Sequence, residues 1–204
     1  MATHVELLVE EPSMEAFLRA LLSRLLPQDR TFEVHAFQGK SDLLGKLADR
    51  LRGYVKWLPE DWRIVVVVDR DDDDCRKLKQ QLEAIATKAG VRTRTGASGA
   101  PWQLVNRIAI EELEAWYFGD WEAVTAVYPR VSSNVPRQQK YRDPDAIAGG
   151  TWEAFERVTK RYGYFKHGLR KIEAARALGG RIDAHRNRSA SFGHFRTAIL
   201  EAVS

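Results

Sequence analysis

The stretch that most constrains this chain is the apolar run Ile64 to Val68, which leads directly into the acidic segment Asp69 to Asp74, interrupted only by Arg70. Four consecutive valines suit a strand that is covered on both faces, as in the middle of a parallel sheet. Acids at its carboxyl end lie at the rim of the sheet, where open α/β folds bind ligands. Because like charges repel, packing alone gives no reason to crowd them there. A divalent cation would relieve the repulsion, and a solvated loop is the alternative.

Strands and helices alternate through the first half of the chain. The predicted strands are His4–Val9, Thr31–Phe37, Trp62–Asp69, Val91–Thr95 and Leu104–Ile110, and the predicted helices are Pro12–Leu26, Ser41–Tyr54, Asp74–Ala89, Glu111–Phe118 and Asp120–Tyr128. Ser41 or Asp42 is expected to cap the second helix, and Asp73 or Asp74 the third. Three more helices are expected between residues 152 and 203. This order predicts an α/β fold with a mostly parallel sheet of four or five strands flanked by helices.

The charge of the chain is unevenly distributed. Its net charge is +4, but the part from Arg137 to Arg196 has 14 Lys or Arg against 6 Asp or Glu. We therefore expect an α/β domain over residues 1–128 and a basic, mainly helical extension over residues 129–204 that packs on it. A basic surface beside an acidic centre favours an anionic polymer held over a metal, and solvated amphipathic helices are the alternative.

The compartment is predicted from what the sequence lacks. No apolar run approaches the roughly 20 residues of a membrane span, and the acidic start does not resemble a signal peptide. Cys75 is the single cysteine, which excludes an intramolecular disulfide and a cysteine-rich zinc site. We expect a cytoplasmic protein.

Acids end two of the predicted strands. Glu10 and Glu11 follow the first strand, and Asp69 and Asp71 follow the third in D-x-D spacing. Parallel strands end at one edge of the sheet, so Glu10 is expected near Asp69. Alternate residues of an extended segment point the same way, so Asp69 and Asp71 are expected to aim at one point. These are the hard oxygen ligands that Mg²⁺ prefers.

The stretches LLVEEPSMEA and VVVVDRD resemble the Toprim domain of topoisomerases, bacterial primases and nucleases, whose signature is a strand ending in Glu and a later strand ending in D-x-D. The departure is Glu11, where Toprim domains usually have Gly. The segments IAIEELEAWYFGD, NRSASFGHF and FQGKSDLL resemble a Toprim-like nuclease family of unknown function found in phage-defence loci, related to the Toprim subunit of PARIS and to OLD-family Toprim domains. The resemblance implies a Toprim-like Rossmannoid domain.

The same resemblance implies a chemistry. It implies hydrolysis of phosphodiester bonds in RNA, such as tRNA, or in DNA, with Mg²⁺ or Mn²⁺, by an anti-phage or toxin-like effector. Carried over by position, Glu10, Asp69 and Asp71 are metal ligands, and Glu112 and Glu114 complete or border the site. An ABC- or OLD-type ATPase and a second copy of the chain are the implied protein partners.

Three acids near residue 112 leave alternatives open. On a regular helix Glu112 and Glu114 face different directions, whereas Glu111 and Glu114 share a face. If the backbone is still extended at Glu112, then Glu112 and Glu114 line up. As a further alternative, acids in a first helical turn complement the helix dipole and need no ligand.

The second half of the chain supplies candidates for substrate binding. The segment Lys160–Lys171 combines five Lys or Arg with three aromatic residues, which favours a nucleic-acid strand. The alternative is that Tyr162, Tyr164 and Phe165 anchor a small helical core. Hydroxyls ahead of the last helix favour a phosphate, and an ordinary N-cap at Ser189 is the alternative. The candidate substrate-binding residues are Lys40, Lys166, Lys171, Arg186, Arg188, Ser189 and Ser191.

Two other functions compete with a nuclease. One is a non-catalytic subunit with a degenerate Toprim site that binds nucleic acid or an ATPase, which the residue at position 11 favours. The other is a D-x-D phosphatase with Asp69 as nucleophile, but that class usually has its D-x-D on the first strand.

Overall fold

The computed structural model describes residues 2–204 and contains a four-stranded, all-parallel sheet in the order β2-β1-β3-β4. The strands are β1 (His4–Val9), β2 (Thr31–Ala36), β3 (Trp62–Asp69) and β4 (Leu104–Ala109). The predicted α/β class with a parallel sheet is confirmed. All six residues of β1 and the last six of β3 are buried, as expected for central strands covered on both faces.

Eight helices surround the sheet within residues 2–204, together with three single 3₁₀ turns between residues 135 and 146. The helices are α1 (Pro12–Leu25), α2 (Lys40–Val55), α3 (Cys75–Lys88), α4 (Glu114–Gly119), α5 (Trp121–Val127), α6 (Thr151–Arg161), α7 (Lys171–Gly179) and α8 (Ala190–Val203). None of them is long and apolar enough to cross a membrane.

The two faces of the sheet carry separate apolar layers. Odd-numbered positions of β1 and β3, such as Val5 and Val65, pack with α1 and with helices α4 to α8. Even-numbered positions, such as Leu8 and Val66, pack with α2 and α3. The helix after β1 and the helix after β3 therefore cover opposite faces of the sheet. A crevice consequently opens between the carboxyl ends of β1 and β3, which is where doubly wound folds bind ligands.

The helices after residue 129 belong to the larger of these two layers. Phe155, Leu178 and Phe195, one from each of the last three helices, are fully buried in it. Helix α7 lies close against α1, because a Cβ at Gly179 would stand 2.3 Å from the carbonyl oxygen of Phe17.

Two predictions of local structure are wrong. Val91–Thr95 is not a strand, since only Thr93 forms an isolated bridge to Leu104, where β4 begins. The segment pairs with the first residue of β4 at this one position only, so no β-ladder forms. The cap of α2 is Gly39, with a φ of 97° that favours glycine, rather than Ser41 or Asp42.

The predicted cap of α3 is confirmed at Asp74. Its Oδ1 accepts from the backbone N–H groups of Arg76 and Lys77, both at 2.9 Å. This acid of the run therefore serves the helix.

Candidate functional site

Glu10 and Asp69 meet at the crevice between the two central strands. Each stands at the carboxyl end of its strand, and the backbone N–H of Asp69 donates to Oε2 of Glu10 at 3.2 Å. The predicted proximity of the two residues is confirmed. The hydrogen bond fixes the Glu10 carboxylate over the end of β3.

The Asp69 side chain is buried against the larger apolar layer and only 5% exposed. Among the described residues its Oδ1 has no hydrogen-bond partner. Burial, followed by the charges of Glu10 and Glu114, raises the pKa of Asp69 well above its ordinary value. Burial and then the charge of Asp71 raise the pKa of Glu10 to about 7, against lowering by the Asp69 N–H and Lys40. Buried carboxyl groups that lie close to other acids favour the binding of a proton or a cation, because either one removes the repulsion between their negative charges.

Glu114 reaches the same place from the first turn of α4. Its side chain is 1% exposed, and neither of its carboxylate oxygens has a hydrogen-bond partner within residues 2–204. Burial raises the pKa of Glu114 to about 8, although the Lys171 ammonium lowers it. Of the three acids near residue 112, Glu114 is thus the one whose charge couples to Asp69.

Tyr117 was not expected at this site. Its buried hydroxyl has no hydrogen-bond partner in the described part of the chain, and burial, then the charge of Glu114, raises its pKa well above its ordinary value. The signal was present in the sequence, because residues three apart on a helix share a face. The hydroxyl is available to donate to a ligand or to a carboxylate at the site.

Asp71 and Glu111, which follow β3 and β4, both have left-handed backbones, with φ of 49° and 62°. The N–H of Asp71 donates to the carbonyl of Glu111 at 2.9 Å, and Arg70 forms an ion pair with the Glu111 carboxylate. Asp71 therefore does not continue the extended strand. The expectation of an extended backbone is therefore wrong at Asp71, which is exposed while Asp69 is buried. The charge of Asp71 still contributes to raising the pKa of both Glu10 and Asp69.

Lys40, the first residue of α2, forms ion pairs with the exposed acids Asp71 and Asp73. Its Nζ donates to Asp71 Oδ2 at 2.7 Å, to Asp73 Oδ2 at 2.8 Å and to the carbonyl of Arg70 at 3.1 Å. Burial lowers the pKa of Lys40, but its hydrogen bonds to the two aspartates outweigh burial and raise it. The sequence predicted that Lys40 binds a phosphate. Its ammonium does lie at the cluster of Glu10, Asp69, Asp71 and Glu114, which we call the acidic centre, but it is already bound by Asp71 and Asp73.

Glu112 has a structural task. Its Oε2 accepts from the backbone N–H groups of Thr151 and Trp152, both at 2.9 Å, and from the Thr151 hydroxyl at 3.0 Å. The carboxylate therefore caps the N-terminus of α6, where backbone donors and the helix dipole favour an anion. A catalytic role for Glu112 would have to use its other oxygen.

Lys171, the first residue of α7, places a positive charge near the acids. Its Nζ lies 5.2 Å from the centre of the Trp152 ring. Burial lowers the pKa of Lys171, but the charges of Glu114 and Glu11 outweigh burial and raise it. No acid lies within ion-pair distance of its ammonium among residues 2–204, so Lys171 faces the site with its charge uncompensated by a direct contact.

The acidic centre has the donor chemistry of a cation site. Asp69 and Glu114 present buried carboxylate oxygens to which no described residue forms a hydrogen bond, and Glu10 lies beside them with a raised pKa. These hard oxygen donors fit Mg²⁺ or Mn²⁺. Across residues 2–204, no group of three His, Cys, Asp or Glu side chains is arranged to hold a metal ion. The donors are therefore present, but they do not form a closed ligand set.

Two of the predicted phosphate-binding hydroxyls are turned inward. Ser189 and Ser191 are buried, and their hydroxyls donate to Oδ1 of Asp145 at 2.7 and 3.0 Å. The Ser189 hydroxyl also accepts from the N–H of Phe192 as the N-cap of α8, and Trp116 donates to Ser191. The prediction that these hydroxyls bind phosphate is therefore wrong, because both of them already donate to the Asp145 carboxylate.

The basic candidates divide into paired and unpaired residues. Arg186 forms a two-point ion pair with the buried Asp120, at 2.8 and 3.0 Å, and a third contact with Glu122 at 3.0 Å. Arg186 therefore links the loop between α7 and α8 to the start of α5, and its charge is already paired. Lys166 and Arg188 are exposed and form no ion pair with any described residue.

The aromatic residues between Lys160 and Lys171 pack inward. Tyr162, Tyr164 and Phe165 are half-buried against the larger apolar layer, and Tyr164 lies under the guanidinium of Arg130 at 4.3 Å. These aromatic side chains contribute to the protein core, which was the alternative to the prediction that they stack on bases.

Comparison with known proteins gives a family. No curated protein and no solved structure matches the chain. A family described as a domain of unknown function, DUF4276, matches residues 9–200, which is nearly the whole chain. The matched range includes Glu10, Asp69 and Glu114. The chain therefore belongs to the DUF4276 family.

Proposed function

We propose that this protein hydrolyses phosphodiester bonds of nucleic acid with a divalent cation, Mg²⁺ or Mn²⁺, at the crevice between β1 and β3. The observation that carries the proposal is a pair of buried carboxyl groups, Asp69 and Glu114, at the ligand-binding end of the sheet. Within residues 2–204, Oδ1 of Asp69 and both carboxylate oxygens of Glu114 have no hydrogen-bond partner. With Glu10 they are the residues that would hold the cation, and Asp71 borders them. Packing gives no reason to keep two such groups, because burying unpaired carboxyls costs stability.

A bound cation would supply neutralisation of the non-bridging phosphate oxygens and a lowered pKa of a water molecule. Glu10 is the best candidate for a proton acceptor, because it is the least buried of the three carboxyl groups and need not be fully engaged with the cation. In the reaction the water oxygen bonds to phosphorus and the bond from phosphorus to the leaving sugar oxygen breaks. The proton taken by Glu10 returns to that leaving oxygen through solvent.

Cations around the centre support a phosphate substrate. Lys171 faces the acids without an ion-pair partner in the described chain, and Lys40 lies on their other side. The segment from Arg137 to Arg196 adds a local excess of positive charge. Such a surface attracts a polyanion over long distances. A defence role beside an ATPase and a homodimer are part of the proposal through the Toprim-like resemblance. A cytoplasmic location is part of it through the sequence composition.

The first test is calorimetric titration of Mn²⁺ into the protein, beside Asp69→Asn and Glu114→Gln. We expect saturable binding that both variants weaken at least tenfold. Asp72→Asn is the matched control, because Asp72 is an exposed acid of the same run and is expected to leave binding intact. Binding that is absent, or equal in all four proteins, would overturn the cation site.

The second test is cleavage of end-labelled RNA and DNA oligonucleotides with Mn²⁺, with Mg²⁺ and with EDTA. We expect cleavage that requires the cation and that Asp69→Asn abolishes. Cleavage that persists in EDTA would contradict the proposed chemistry.

A specific contact favours the second candidate, a non-catalytic nucleic-acid-binding or ATPase-partner subunit. The Lys40 ammonium already neutralises Asp71 and Asp73, as a permanent cation would. Under this function the protein binds oligonucleotides equally in Mn²⁺ and EDTA and cleaves none, and Asp69→Asn leaves binding unchanged.

A further inference from the structure

A groove lies between α1 and α7 and has a volume of about 460 Å³. Its apolar lining comes from Pro12, Ala16, Ala20 and Ile172, and its charged lining from Glu15, Arg19 and Arg176. Ile172 is 47% exposed, one of few large apolar side chains in the described chain that stay open to solvent.

We propose that this groove holds the unpaired base of a nucleotide next to the scissile phosphate, so that the substrate is single-stranded. The proposal rests on the proposed phosphodiester hydrolysis and deepens it by naming the substrate class.

The groove adjoins the acidic centre at the starts of α1 and α7. Pro12 lies two residues after Glu10, and Ile172 follows Lys171, whose ammonium lies 5.2 Å from the centre of the Trp152 ring. Two neighbouring positions on two different helices thus join the centre to the groove. A phosphate held between the acids and Lys171 would therefore have its adjoining nucleoside next to Ile172 and Pro12.

The charged lining points to an anionic ligand. Arg19 is engaged, because Glu15 and Glu33 each accept from it at 2.9 Å. Arg176 has no acid within ion-pair distance in residues 2–204. It lies one helical turn after Ile172, on the same face of α7. A free guanidinium beside an apolar lining suits a base followed by the next phosphate of the strand.

The size and the lining of the groove suit a base. The volume lies in the range of small-ligand pockets, about 300 to 1,000 Å³, and charged side chains stand beside the apolar ones. Bases in a duplex are stacked and paired, so their faces are hidden, whereas an unpaired base offers its face to an apolar surface. The groove therefore selects an unpaired strand.

The test compares three substrates in Mn²⁺: a single-stranded oligonucleotide, the same sequence as a duplex, and an abasic sugar-phosphate oligomer of equal length. We expect kcat/KM on the single strand to exceed that on the duplex and on the abasic oligomer at least tenfold. Ile172→Ser is expected to reduce the advantage over the abasic oligomer to about threefold or less. Leu200→Ser, at an exposed apolar residue of α8, is the control that keeps the advantage.

Arg176→Ala is expected to raise KM for the single strand about fivefold, and Arg181→Ala, which removes an exposed cation just beyond α7, is its control. Equal cleavage of single strand and duplex, or an unaltered advantage in Ile172→Ser, would overturn the groove while the hydrolytic function stands. A wild-type protein that cleaves none of the three substrates overturns the proposed function, and the groove with it.

Discussion

Glu114→Gln is expected to change how the stability of the metal-free protein depends on pH. Burial holds the pKa of Glu114 at about 8 in the folded protein, against 4.5 ordinarily. A raised acid pKa means that the folded state binds the proton more tightly than the unfolded state. The stabilisation is therefore complete below pH 4.5 and is lost as the pH rises through 8. Glutamine is neutral at every pH and escapes this loss.

The size of the effect follows from the two pKa values. One pKa unit corresponds to about 1.4 kcal/mol, so the difference between 4.5 and about 8 gives at most about 5 kcal/mol. Near pH 4.5 the protonated acid and the amide are similar, and the two proteins are expected to have similar free energies of unfolding. Above pH 8 the variant is expected to be more stable by a few kcal/mol.

Urea unfolding in EDTA at pH 5 to 9, followed by tryptophan fluorescence, measures this difference. Glu60→Gln is the control, because Glu60 is exposed and is expected to change stability equally at all pH values. Adding Mn²⁺ at pH 8 is expected to stabilise the wild type more than Glu114→Gln. A difference between wild type and variant that stays constant or shrinks with rising pH would refute the burial argument.

Three further substitutions test the supporting structure by urea unfolding at pH 7. Asp120→Asn is expected to cost about 1.5–3 kcal/mol, because it removes the charge from the buried acceptor of two hydrogen bonds from the partly exposed Arg186; an unchanged midpoint would show that the pair contributes little. Asp145→Ala is expected to cost about 1–3 kcal/mol by leaving two buried serine hydroxyls without their acceptor, and a loss below about 0.5 kcal/mol would contradict this on the same scale. Gly179→Ala is expected to cost about 1–3 kcal/mol, since its Cβ would meet backbone of α1 at 2.3 Å; a stabilised variant would rule out the clash.

The central strands of the sheet were readable from the sequence. The run Ile64 to Val68 and the alternation of β and α patterns depend on burial and periodicity, which are properties of the chain itself. The position of Glu10 beside Asp69 followed from one rule of topology, because parallel strands end at the same edge. These predictions needed no knowledge of distant contacts.

The roles of the remaining acids depended on contacts that the sequence does not display. Asp71 was expected to continue a strand, but its backbone is left-handed and its N–H donates to the carbonyl of Glu111. Glu112 was expected at the reaction centre, but it caps a helix that begins 39 residues later. Ser189 was open to both interpretations, and the distant Asp145 decided between them. In each case the deciding partner came from another element.

The cap that Glu112 places on α6 ties two parts of the chain together. One oxygen accepts from three donors at the start of α6, while the backbone two residues later carries Glu114 into the crevice. A partner protein that displaces the start of α6 would therefore remove the three donors that hold Glu112, two residues before Glu114. Binding at α6 would thus act on the backbone that positions the Glu114 carboxyl group.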